Sequence, residues 1–137
     1  MSKIFDRTTD ALGASINFRS LRHNVTSANI ANAETPGYKA KVMDFEDALA
    51  RAVDLEGSLQ QSASAPEHFA IGPGAVSRAR ADIYDNPEGN VSNDQNTVDL
   101  EKEIATLQEN SILYKAALQL INKKLGSIRY AATEGSR

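Results

Sequence analysis

The sequence predicts an all-α protein whose long N- and C-terminal helices form an antiparallel coiled-coil-like hairpin, with an irregular middle that holds short β pieces. Two observations support the helices. Apolar residues recur every three or four positions near the start of the chain, and the same repeat is found near its end. A third observation is the density of turn-forming residues between them. We therefore divide the chain into an N-terminal helix (1–34), a turn and short helix (35–56), an irregular polar middle (57–97) and a C-terminal helix (98–134).

The N-terminal helix is predicted from a seam of apolar residues with 3-4 spacing, which is typical of coiled coils. The seam comprises Ile4, Phe18, Leu21 and Val25, together with Ala11, Ala14 and Ala28. Pro36 and Gly37 predict where this helix ends, because proline disfavours helix in the residue before it and glycine frees the backbone. Phe5, Leu12 and Ile16 lie off the seam, which predicts an apolar surface that partners must cover.

The C-terminal helix carries the stronger periodicity. Asn96 or Thr97 is predicted to cap its start, and acidic residues follow at the positive end of the helix dipole. One polar position, Ser111, interrupts an otherwise apolar or aromatic seam. That seam consists of Leu100, Ile104, Leu107, Tyr114, Leu118, Ile121, Leu125 and Ile128.

Between the long helices, the pattern predicts one short helix and two short extended pieces. Phe45, Leu49 and Ala52 are spaced as on one helix face. Glycine, proline, serine and asparagine dominate the segment that follows, which argues against further long helices. The extended pieces are expected at residues 69–71 and 83–84.

Composition and charge exclude several functional classes. The 137 residues include no cysteine, so disulfides, thiolate metal sites and cysteine catalysis are excluded. The net charge of −3 and the lack of a basic stripe argue against a nucleic-acid partner. The first ten residues lack the apolar region of a secretory signal, and no apolar run reaches the ~20 residues of a membrane helix.

No catalytic or metal-binding motif is recognisable, so we expect no enzyme activity, no cofactor, no metal and no small-molecule substrate. His23 and His68 lack a third ligand at a metal-binding spacing. Residues 93–99 resemble part of a calcium loop but lack its central glycine and closing glutamate, and helix capping explains them better.

Residues 29–41 carry an unusual run, which follows the pattern A-N-x-x-T-P-G-Y-K. It resembles the signature of bacterial flagellar rod and hook proteins. Residues 96–103 and 118–125 are also similar to that family, the latter to its proximal rod members. The matching signature positions are Ala31, Asn32, Thr35, Pro36, Gly37, Tyr38 and Lys39.

This resemblance implies a structural subunit of the flagellar basal body that stacks helically into the proximal rod crossing the periplasm. It implies synthesis in the cytoplasm and export by the flagellar type III apparatus without a cleaved signal. The implied partners are other copies of the chain, other rod proteins, the basal-body adaptor, the inner-membrane ring and the export gate. A soluble coiled-coil adaptor or secretion chaperone is the alternative, since it could show the same seams without needing the turn.

Two smaller features also have more than one interpretation. At the turn, Pro36 fixes one dihedral angle, Gly37 permits a left-handed one and Tyr38 offers a rigid anchor, either for assembly or for folding alone. The resemblance further implies that Phe45 and Leu49 form a Phe-x-x-x-apolar element read by the export gate. The other interpretation is that these two residues form only the apolar face of a short helix.

Overall fold

The structure is a computed structural model that describes residues 7–62, 76, 79–87, 89 and 93–134. Helix α1 spans Arg7–Ala31, strand β1 Lys41–Asp44, helix α2 Glu46–Ser62, strand β2 Asp82–Asp85 and helix α3 Leu100–Glu134. The chain is thus mostly helical, with its two longest helices near its two ends, as predicted. Ile4 and the extended piece expected at residues 69–71 lie outside the described residues.

The long helices α1 and α3 pack against each other, which confirms the predicted pairing of the terminal helices. One contact ties their middles together: the Asn110 amide nitrogen donates to the Arg19 carbonyl at 2.8 Å. Ala117 is buried further along α3. A small residue at such a position lets two helices approach closely.

Strands β1 and β2 pair antiparallel in a two-stranded sheet, which confirms the extended piece expected at residues 83–84. Lys41 faces Asp85 across the sheet, and their side chains form an ion pair at 2.9 Å. The Tyr84 hydroxyl donates to the Asp44 carboxylate. The ion pair thus joins the first pair of the register, and the hydroxyl bond runs diagonally from the second pair to the fourth.

Two helix ends differ from the predicted boundaries. Helix α1 stops at Ala31, three residues before the predicted limit, and in its tightening last turn the Asn32 amide is shared between the carbonyls of Ala28 at 3.2 Å and Asn29 at 3.1 Å. Helix α2 runs on to Ser62, past the predicted limit at residue 56. Gly57 costs about 1 kcal/mol of helix propensity but keeps its amide hydrogen, so it does not end a helix as proline does.

The apolar core lies where α1, β1 and α2 meet. Phe45 is only 2% exposed, and its ring stacks on Phe18 with the centroids 5.2 Å apart. Burying a phenylalanine contributes about 2–3 kcal/mol. Where the structure describes burial, the buried apolar residues are Ala40, Met43, Phe45, Ala52, Val76 and Ala117. The buried polar residues there are Thr9, Thr26, Asn29, Asn96, Thr97 and Asn110.

Within the described ranges, no helix is both long enough and apolar enough to cross a bilayer. The same ranges contain no group of three histidine, cysteine or acidic residues placed to hold a metal ion.

Candidate assembly site at the turn after the first helix

The chain reverses direction in a compact turn directly after α1. We call residues 32–39 the signature turn. Its backbone closes through the Thr35 amide, which donates to Asn32 at 3.0 Å, and the Tyr38 amide, which donates to Thr35 at 3.3 Å. Gly37 has a φ of +72°, in the left-handed region that residues with a side chain rarely adopt. The predicted conformational role of Gly37 therefore has a geometric basis.

One distant side chain bonds to three backbone carbonyls of the signature turn, directly after α1. The Asn96 amide nitrogen donates to Asn32 and Ala33 at 2.9 Å each, and to Thr35 at 2.8 Å. Asn96 is only 2% exposed, so water cannot replace these bonds. One buried residue just before α3 therefore fixes the end of α1.

The segment before α3 also bonds to the backbone of the signature turn. The Gly37 amide donates to the Asp94 carbonyl at 2.8 Å, and the Thr97 amide donates to the Tyr38 carbonyl at 3.1 Å. The Thr97 hydroxyl accepts from the Ala40 amide at 2.9 Å. Residues 57 positions apart are thereby joined, so the conformation of the turn depends on the segment just before α3.

A second buried asparagine holds the exit of the turn against α1. The Asn29 amide nitrogen donates to the Lys41 carbonyl at 2.7 Å, and its oxygen accepts from the Lys41 amide at 3.0 Å. The same oxygen accepts from the Tyr38 hydroxyl at 3.3 Å. The anchoring predicted for Tyr38 therefore runs through its polar tip to α1.

The apex of the signature turn remains on the surface. Thr35, Pro36, Gly37 and Lys39 are exposed, while Asn32 and Tyr38 are half-buried. The turn thus presents a rigid surface feature whose shape is set from behind by Asn29 and Asn96.

Neither asparagine is recognisable from the sequence as a residue that holds the turn. The prediction that Asn96 or Thr97 caps the start of α3 is wrong, because the Asp99 carboxylate accepts from the Lys102 amide there, at 3.1 Å. The Asn96 oxygen instead accepts from the Val98 amide at 2.8 Å. The available signal for Asn29 was a poor helix former inside a helix.

Phe45 and Leu49, the residues of the proposed export element, lie at the start of α2. The Leu49 amide donates to the Phe45 carbonyl at 2.8 Å, and Leu49 is half-buried. The Arg22 guanidinium lies 4.5 Å from the centre of the Phe45 ring, and that of Arg19 lies at 5.5 Å. Cations over an aromatic face attract it electrostatically. Phe45 is therefore enclosed by α1 and inaccessible in the folded chain.

Arg22 fastens α1 to the β1–α2 junction. It donates to the Met43 carbonyl at 2.7 Å and 3.1 Å and to both carboxylate oxygens of Glu46 at 2.5 Å and 2.7 Å. Burial raises the pKa of Glu46, but the bonds from Arg22 and from backbone amides outweigh it and hold the pKa below its usual value. The bidentate geometry makes Arg22 a positioning residue for this junction.

Glu103 on α3 has the opposite shift. Partial burial beside α1 raises its pKa, and nearby Asp99 adds to the rise, while Asn29 and Lys102 oppose it. The charged form of Glu103 is therefore disfavoured by folding.

We expect Glu103→Gln to raise the free energy of unfolding at neutral pH, by less than about 1 kcal/mol because the group is half-exposed. The folded protein binds the extra proton between pH 4.5 and the raised pKa, so the stability of the wild type falls as pH rises through that window. Glu46→Gln should instead lower the free energy of unfolding at neutral pH. Because the pKa of Glu46 is lowered, its charged form stabilises the fold above pH 4.5, and that contribution is lost as the pH falls into the acid range.

Urea unfolding across about pH 3 to pH 8 measures both effects. Glu101→Gln removes an exposed carboxylate from the same helix and serves as the control. Equal pH profiles for the wild type and the Glu103 variant would contradict the assignment.

The predicted assembly seam is only partly covered within one chain. Its half-buried members are Phe18, Val25, Leu107, Tyr114, Leu118, Ile121 and Ile128, and its exposed members are Leu21, Leu100, Ile104 and Leu125. Other apolar residues of α3 are exposed as well, most of all Ile112 at 68%. That these faces serve assembly remains a prediction.

Paired terminal helices and a turn fastened by buried asparagines define a class of mostly helical protein. The family described as flagella basal body rod protein matches residues 16–39, which cover the second half of α1 and the signature turn. Several flagellar basal body rod proteins FlgB are similar over most of their length. The chain is 33% identical to that of Aeromonas hydrophila over 128 residues, which is 93% of this chain and 94% of the relative.

Two further relatives agree. The chain is 38% identical to the FlgB of Cereibacter sphaeroides (strain ATCC 17029 / ATH 2.4.9) over 113 residues, which cover 82% of this chain and 84% of the relative. It is 32% identical to the FlgB of Salmonella typhimurium over 114 residues, covering 80% and 81%. The chain therefore belongs to the FlgB family of flagellar basal body rod proteins. It is accordingly a structural component of the flagellum and not an enzyme.

Proposed function

We propose that the chain builds the proximal rod, the drive shaft that crosses the periplasm, by stacking with other copies and with other rod proteins. Its further proposed contacts are the basal-body adaptor and the inner-membrane ring. The observation that carries this proposal is the signature turn, which buried Asn96 and Asn29 hold rigid while its apex stays exposed. A soluble adaptor or chaperone would have no need of such a turn.

The proposed architecture of the subunit is an antiparallel coiled-coil-like hairpin. Three contacts support it, because residue numbers rise along the C-terminal segment while the numbers of their partners fall towards the start of α1. Asn96 bonds to the carbonyl of Asn32, and Asn110 bonds to that of Arg19. Glu103, between them on α3, interacts with Asn29.

Exposed apolar residues support stacking with neighbours. Leu100, Ile104 and Leu125 on the seam are each more than a third exposed, and Ile112 and Leu120 more than half. Removing apolar surface from water contributes about 25 cal/mol per Å², so neighbouring subunits would gain stability by covering these faces.

We expect Leu107→Asp, Leu118→Asp and Leu125→Asp, introduced singly, to abolish rod assembly and swimming. A charge buried without a partner costs several kcal/mol. Leu125 is the sharpest position because its exposure in the single chain lets the variant fold normally and fail only in assembly. Basal-body preparations probed for the chain, together with motility in soft agar, measure the effect.

Gln119→Asp introduces the same charge at an exposed polar position of α3 and is the matched control. Normal rods and normal swimming with Leu125→Asp would show that the seam is misassigned.

Deleting the gene in its own bacterium and restoring it with a tagged copy tests the function itself. We expect the tagged chain to be recovered in purified basal bodies and swimming to return. A tagged chain that restores swimming but stays in a small soluble oligomer would instead favour the adaptor or chaperone.

The route out of the cell follows from the same proposal. We infer export through the flagellar type III apparatus without a cleaved signal, with Phe45 and Leu49 as the element that the export gate reads. Because Phe45 is buried against Phe18 in the folded chain, the gate would have to read it before α1 packs onto α2. Folding would then hide the element once the subunit has been delivered.

A further inference from the structure

A basic groove lies between the middle of α1 and the middle of α3. It has a volume of about 260 Å³ and includes Arg19 and His23 of α1 and Asn110, Tyr114 and Lys115 of α3. None of the described residues that line it carries a carboxylate. We call it the basic groove.

Two polar atoms on residues of the basic groove lack partners. Arg19 Nη1 and Asn110 Oδ1 are both buried and form no hydrogen bond. Buried polar groups are nearly always bonded in a finished structure. Because both atoms are closed off from solvent, an occupant meets the lining side chains instead, and the cationic Arg19 and Lys115 among them suit a carboxylate.

The same chain carries exposed carboxylates at and near the start of α2. Asp47 and Arg51 lie one helical turn apart and line a hollow of about 290 Å³ together with Asp44 and Asp82. Asp44 accepts the bond from Tyr84, but no ion pair or hydrogen bond engages Asp47 or Asp82 within the described part of the chain. Residues 47 and 51 are exposed.

We propose that the basic groove of one copy receives the acidic start of α2 from a second copy, with Asp47 lying against Arg19 and Lys115. This inference rests on the proposed function, since it names the contact between copies. Complementary surfaces at two different places on one chain can join copy to copy without symmetry closing the assembly. The opposite charges favour this pairing and disfavour any pairing of groove with groove.

Charge reversal tests the pair. Lys115→Glu and Asp47→Lys should each reduce recovery of the chain in basal bodies by about tenfold, which corresponds to 1.4 kcal/mol. The double variant should restore recovery, because the charges are then exchanged. Both positions are exposed, so the monomers should fold as the wild type does, which circular dichroism checks. Lys123→Glu, on the same helix outside the groove, is the control.

Zero-length carbodiimide crosslinking of basal bodies assembled from mixed ¹⁴N- and ¹⁵N-labelled chains gives a second readout. A mixed-isotope link between Lys115 and Asp47 supports the proposal. The proposal is overturned if Lys115→Glu is recovered normally, or if the double variant is not restored, while the wild type still enters the rod. The basic groove then has a different partner or none. Absence of the wild-type chain from basal bodies would instead refute the proposed function.

Discussion

Asn96→Ala is expected to lower the free energy of unfolding by about 3 kcal/mol. The substitution removes the amide that donates to the carbonyls of Asn32, Ala33 and Thr35. The carbonyls of Asn32 and Thr35 keep their bonds within the turn, whereas that of half-buried Ala33 loses the donor from Asn96. It also removes the acceptor for the Val98 amide. Urea unfolding followed by circular dichroism measures the loss, and swimming in soft agar reports its consequence for the rod.

Two control variants separate the cap from general effects on the loop. Asn96→Asp keeps an oxygen for Val98 but turns a carboxylate towards three carbonyls, so it should destabilise at least as much as alanine. Asn93→Ala changes an exposed asparagine of the same loop and should leave stability within about 0.5 kcal/mol of the wild type. Wild-type stability in the alanine variant would mean that the signature turn holds itself.

The helices could be predicted because their information is local. Periodic apolar residues indicated α1 and α3, and Pro36 and Gly37 indicated the end of α1 to within three residues. The cap could not be predicted in this way, since Asn96 lies 64 residues from Asn32 and nothing near either position encodes the contact. An asparagine or threonine just before a helix ordinarily caps that same helix. This local rule led to the wrong prediction that Asn96 or Thr97 caps α3, where Asp99 does so.

The junction around α2 illustrates the same limit. Spacing placed Phe45 and Leu49 on one helix face, but it gave no sign that Arg22 would hold the preceding backbone through Met43. The charges of Arg22 and Glu46 are visible in the sequence, whereas their pairing depends on how α1 packs against β1 and α2. Residues that position a site are often found only when the packing of distant elements is known.

Phe45→Ala is expected to cost about 3 kcal/mol of folding stability and, independently, to block secretion. The loss of stability follows from burial, since the ring stacks on Phe18 and lies beneath the guanidinium of Arg22. The loss of secretion follows only if Phe45 is the residue that the export gate reads. Urea unfolding measures the first effect, and immunodetection of the chain in the culture medium of a strain that cannot complete its rod measures the second.

Phe18→Ala separates the two effects. It removes the other half of the same stacked pair, so it also destabilises the fold, but it lies outside the proposed export element. We expect normal secretion of the Phe18 variant and poor secretion of the Phe45 and Leu49→Ala variants, because a chain that is read unfolded does not suffer from lower stability. If the Phe18 and Phe45 variants are secreted equally, Phe45 is a core residue alone, and the export signal must be sought elsewhere in the chain.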